Sequence, residues 1–151
     1  MWTYPRPPRL EPTPKLIRIV HSGLEVARTT RALRLLETSH PPTYYLPPED
    51  VRLDVLRPTT KTSGCEWKGR ATYFDLVLPD GSALSEIAWA YPSPVPRYAA
   101  LQDHVAFYAA PLDGCFVDGE RVTPQPGGFY GGWITSDLAG PFKGVPGSWG
   151  W

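Results

Sequence analysis

Cysteine is nearly missing from this chain. Cys65 and Cys115 are the only two, fifty positions apart. No Cys-x-x-Cys pair exists to seed a zinc site, and two isolated thiols make a disulfide scaffold a poor expectation. Net charge is missing as well, since fifteen basic residues balance fifteen acidic ones. That removes a global electrostatic case for nucleic acid or an anionic membrane surface. No apolar run approaches the roughly 20 residues that span a bilayer. The opening "MWTYPRPPRLEPTP" has no apolar leader core, so the expected location is the cytoplasm. A P-loop, a Rossmann glycine fingerprint and a His-Glu-x-x-His motif are also lacking. The reading assigns no metal and no cofactor.

What the chain has in quantity is proline, glycine and aromatic rings: 19 Pro, 14 Gly and 13% aromatics beside a 42% apolar fraction. This composition fits a compact chain with many turns rather than a disordered one. At 151 residues it is long enough for one domain that buries roughly two-thirds of its unfolded surface. Residues 1–14, rich in proline, are expected to form an extended arm, free or strapped across the domain. From Lys15 the hydrophobic period is mostly two. "KLIRIV", "LEVART", "RALRLLE", "VRLDVL", "RATYFDLVL", "EIAWAY", "HVAFYAA" and "CFVDGERV" read as short strands, with a hairpin signal at Asp118-Gly119. Only Pro96 to His104 invites a helical turn or two. The reading is mainly antiparallel β over residues 15–126, a sandwich or partly open barrel. Residues 127–151 carry Phe129, Tyr130, Trp133, Phe142, Trp149 and Trp151 among glycines. Six large rings suit a tail that wraps onto the body or onto a second copy in a homodimer.

Strand parity picks out candidate site residues. Leu33, Leu35 and Glu37 share one face, so a core-facing strand would carry a carboxylate inward. Lys68, in "SGCEWKG", is its candidate partner, and shares parity with Thr72 and Phe74. Held inside, it would pair with Glu37 or act as base or nucleophile. Cys65 and Trp67 fall on the opposite parity and read as wall residues. Trp89 and Tyr91 share a face. So do His104, Ala106 and Tyr108, with Val105 and Phe107 opposite. His104 and Tyr73 are candidate proton donors or acceptors.

Taken in order, "HSGLEVARTTRALRLLE", "PTYYLPPEDV", "CEWKGRATYFDL", "EIAWAYPSP" and "QDHVAFY" resemble domain of unknown function 427. The matching positions are Ser22, Gly23, Glu37, Tyr45, Pro47, Asp50, Val51, Cys65, Lys68, Gly69, Tyr73, Trp89, Tyr91, Pro94 and Phe107. The resemblance implies a β-tent fold: two antiparallel sheets meeting at an angle around a central cavity, with few short helical turns. Relatives of that fold often hold zinc through paired Cys-x-x-Cys motifs, which this sequence lacks. The function expected first is small-molecule binding, with Tyr45, Cys65, Trp67, Trp89, Tyr91 and Phe107 as walls and Lys68 and Glu37 as anchors. The alternatives are a cofactor-independent isomerase, lyase or hydrolase using Lys68, Glu37, His104 and Tyr73, and an interaction module assembling through the aromatic tail.

Overall fold

The computed structural model describes residues 9–36, 41–65, 69–124 and 132–135, without the side chains of Cys65 and Arg97. The strands, in chain order, are β1 (Arg9–Pro12), β2 (Ile17–His21), β3 (Leu24–Thr29), β4 (Leu33–Leu36), β5 (Thr43–Tyr45) and β6 (Leu56–Cys65). They continue as β7 (Gly69–Val77), β8 (Ala83–Ala90), β9 (Val105–Phe107), β10 (Gly114–Val117), β11 (Glu120–Arg121), β12 (Thr123–Pro124) and β13 (Trp133–Ile134). Three short 3-10 turns, Pro48–Asp50, Leu53–Val55 and Pro96–Leu101, are the helical elements among the described residues. No helix there is long and apolar enough to cross a membrane.

Alternating apolar and polar residues build the strands, and two-residue turns fix their register. Ser22 and Gly23 have φ of 49° and 78°, and Asp118 and Gly119 have φ of 49° and 83°. Both pairs adopt the positive φ that a tight hairpin with right-handed twist requires. They join β2 to β3 and β10 to β11 within the sheet β11-β10-β2-β3. The other sheets are β1-β4-β5, β6-β7-β8-β9 and the pair β12-β13, and every strand pairing is antiparallel. Arg9–Pro12, inside the segment set apart as an arm, pairs with β4, and Glu11 bonds the guanidinium of Arg34.

Just past β5, Leu46 exchanges two backbone hydrogen bonds of 2.8 Å with Val105 of β9. This bridge joins the three-stranded and four-stranded sheets edge to edge. Period two then divides the side chains between two cores. Ile17, Ile19, Val26, Tyr44, Leu46, Leu76, Ile87, Ala88, Val105, Phe107, Cys115 and Trp133 belong to the first. Leu35, Tyr45, Ala71, Tyr73, Trp89, Tyr91, Tyr98, Leu101 and Ala106 form the second. Neighbours such as Tyr44 and Tyr45, or Ala88 and Trp89, therefore part company across one backbone.

One expectation changes. "VRLDVL" is not a strand: Leu53–Val55 is a 3-10 turn, and the strand begins at Leu56 and runs to Cys65. Its polar stretch Thr59 to Ser63 lies on an edge strand, where no apolar alternation is needed on the exposed side. Trp133, one of the six tail aromatics, is fully buried in the first core. Its ring lies 5.3 Å from that of Tyr44, and its indole N–H donates to the Phe107 carbonyl at 3.1 Å. The other five lie outside the described residues.

Candidate functional site

The second core differs from the first in chemistry. Where the first is built largely of aliphatic side chains, the second collects Tyr45, Tyr73, Trp89, Tyr91 and Tyr98, with Tyr108 packed against them. Strand pairing explains the gathering. Tyr73 on β7 stands opposite Trp89 on β8, and Trp89 opposite Ala106 on β9, so their side chains share one face. Ala106 is small, which leaves room above it for the indole. Tyr45 reaches the same face because the Leu46–Val105 bridge sets β5 against β9. Its ring meets Trp89 edge-on at 6.3 Å and Tyr91 at 6.2 Å, while Tyr108 lies 4.6 Å from Trp89.

The polar tips find each other. Tyr73 and Ser63 share a hydrogen bond of 2.9 Å between their hydroxyls. Trp89 donates its indole N–H to the Tyr45 hydroxyl at 3.4 Å. The Tyr108 phenol is held well above the usual range. Burial is the main cause, since it penalises the phenolate; Tyr73, Tyr45 and the charge of Glu86 add to it. Tyr108 is therefore a neutral hydrogen-bond donor at any physiological pH. The cluster gathers buried aromatic rings and O–H groups in one place.

The structure brings together Tyr45, Tyr73, Trp89 and Tyr91 of the residues singled out from sequence. Phe107 turns to the other face and packs in the first core. His104 lies just before β9, with Nδ1 3.1 Å from the Gln102 carbonyl. Glu37, Trp67 and Lys68 lie outside the described residues, as does the side chain of Cys65, whose backbone pairs with Gly69. Cys115 is buried in the first core, and burial pushes its thiol up to about 12, which makes it inert. Among the described residues no group of three His, Cys, Asp or Glu is placed to hold a metal ion. A cavity of about 140 Å³ lined in part by His21, Ser22, Leu76 and Ser82 takes in none of the aromatic cluster.

Sequence reading placed Tyr108 on the face of Ala106 without assigning it to the site, and passed over Ser63, Lys61 and Glu86. Tyr108 was legible, because it shares parity with Ala106. Ser63 and Lys61 become visible only once Leu56–Cys65 is recognised as a strand.

A model for a domain of unknown function, DUF427, matches residues 9–118. The chain belongs to the DUF427 family. The matched span holds the whole second core, and of the first core all but Val122 and Trp133, and it ends at the β10–β11 turn. A search of curated proteins finds no match. For this DUF427 chain, the reading of function therefore rests on the site.

Proposed function

We propose that this DUF427 domain is a β-tent protein that binds a small planar organic molecule against Tyr45, Tyr73, Trp89 and Tyr91. The observation that carries the reading is the set of linked polar tips in an otherwise apolar core: Ser63 with Tyr73 on one side, Trp89 with Tyr45 on the other. Packing alone does not call for it. Burying a hydroxyl costs free energy unless a partner is supplied, so an aliphatic core like the first is the simpler solution. Aromatic walls with a few placed donors are the composition of a ligand pocket. Glu37 and Lys68 are the sequence's candidates for anchors at this site.

Native mass spectrometry of the protein as purified tests this, combined with saturation-transfer NMR against planar heteroaromatic probes such as indole and uracil. The expected result is non-covalent organic mass or probe binding that Trp89→Ala removes and Tyr73→Phe weakens, with the β-sheet circular dichroism of Tyr73→Phe unchanged. Neither added mass nor saturation transfer in the wild type overturns it.

A further inference from the structure

Two breaks of register flank β7, one at Tyr73 and one at Asp75. On one side the β6–β7 ladder steps from Pro58↔Phe74 to Thr62↔Thr72, so Thr59, Thr60 and Lys61 oppose Tyr73 alone. On the other, the β7–β8 ladder steps from Phe74↔Ala88 to Leu76↔Leu84, so Ser85, Glu86 and Ile87 oppose Asp75 alone. Bulges re-aim side chains, and these two aim theirs at each other. Lys61 Nζ lies 3.1 Å from Glu86 Oε1, so the pair closes across β7. The same ammonium sits 4.6 Å from the centroid of the Tyr73 ring.

The two side chains are similarly exposed, at 48% for Lys61 and 42% for Glu86, and what sets Glu86 apart is its backbone. Glu86 has φ of 51°, a conformation few non-glycine residues adopt, and its backbone N–H is bound by the Asp75 carboxylate at 2.8 Å. Backbone strain of this kind persists where the surroundings enforce it, and it concentrates at ligand sites. Lys61 is half exposed on a flexible stem, in an ion pair of the kind that contributes little at a surface. A carboxylate on a backbone held by Asp75, with an ammonium between it and an aromatic face, has the make-up of a cation site whose resident occupant is Lys61.

We propose that the Glu86 carboxylate and the ring face of Tyr73 form a subsite for an organic ammonium group, preferably a methylated one, and that Lys61 is displaced to water when it binds. Weakly hydrated ammonium groups gain most from a ring face. An anion in the same place would meet the Glu86 and Asp75 carboxylates and the negative faces of the rings. This subsite rests on the aromatic-pocket reading and gives it a substrate class: a ring or chain bearing a cationic nitrogen.

Isothermal titration calorimetry with choline and with its neutral isostere 3,3-dimethyl-1-butanol tests it. Choline is expected to bind more tightly than the isostere. Lys61→Ala should tighten choline about fivefold by removing the competitor, and Glu86→Gln should weaken it by at least as much. Glu86→Asn, which removes the charge and tolerates positive φ, serves if the glutamine variant fails to fold. Failure of Lys61→Ala to tighten choline overturns the proposal. Equal binding of choline and isostere overturns the ammonium subsite while leaving the aromatic pocket standing. Binding of neither by any variant overturns the ammonium subsite, while the aromatic pocket stands or falls with the indole and uracil probes. Benzoate binding that Lys61→Ala abolishes overturns it in favour of an anion.

Discussion

Gly69 runs so close beneath the 92–96 loop that a Cβ on it would stand 3.2 Å from the carbonyl oxygen of Ser93 and 3.4 Å from the Pro94 Cα. Its φ of 108° is in addition one that side-chain-bearing residues rarely adopt. The close approach seats the loop that carries Val95 against the aromatic cluster. Gly69→Ala is therefore expected to cost about 1–3 kcal/mol in urea unfolding and to disturb the Trp89 surroundings. A loss below about 0.5 kcal/mol, the scatter of ordinary surface substitutions, would count against a tight contact.

Trp133 pins residues 132–135 to the body. Trp133→Ala should destabilise by about 3–5 kcal/mol, as large-to-small core changes do, and lower Tm by roughly 10 °C. Trp133→Phe keeps most of the packing but leaves the Phe107 carbonyl without its 3.1 Å donor. Its expected cost is about 1–3 kcal/mol. Calorimetric unfolding of both variants separates packing from the hydrogen bond; equal losses would mean that the N–H contributes most of the effect.

Thr29 and Asp50 form an acid-sensitive clasp between β3 and the Pro48–Asp50 turn. Thr29 Oγ1 donates to Asp50 Oδ2 at 2.7 Å, which lowers the carboxyl below its ordinary range; Arg31 at 3.0 Å adds to this, and desolvation opposes it. A carboxyl with a depressed folded pKa contributes stability that is complete above its unfolded value of about 3.9 and fades as pH falls through the folded one. The urea midpoint should thus fall less between pH 6 and pH 3 in Asp50→Asn than in wild type. Thr29→Val should raise the Asp50 titration seen by carboxyl NMR and cost about 1 kcal/mol at pH 7. An unmoved Asp50 titration in Thr29→Val would remove the hydrogen bond as the cause.

By itself the sequence determined the β class, the Asp118-Gly119 hairpin, and which residues share a face. It also placed Tyr73, Trp89 and Tyr91 as candidates in a family that the comparison then matched over residues 9–118. Those features follow from local rules, because alternation and turn chemistry act over two to four residues. What the tertiary structure decided is long-range. Phe107 and Tyr45 were both aromatic and both apolar, yet the Leu46–Val105 bridge sends Tyr45 into the second core and Phe107 into the first. The polar strand Leu56–Cys65 carries no alternation and exists because β7 offers it a partner. Lys61 and Glu86 meet through two register breaks on opposite sides of β7. A register break belongs to a pair of strands, so a pattern read along either strand alone cannot contain it.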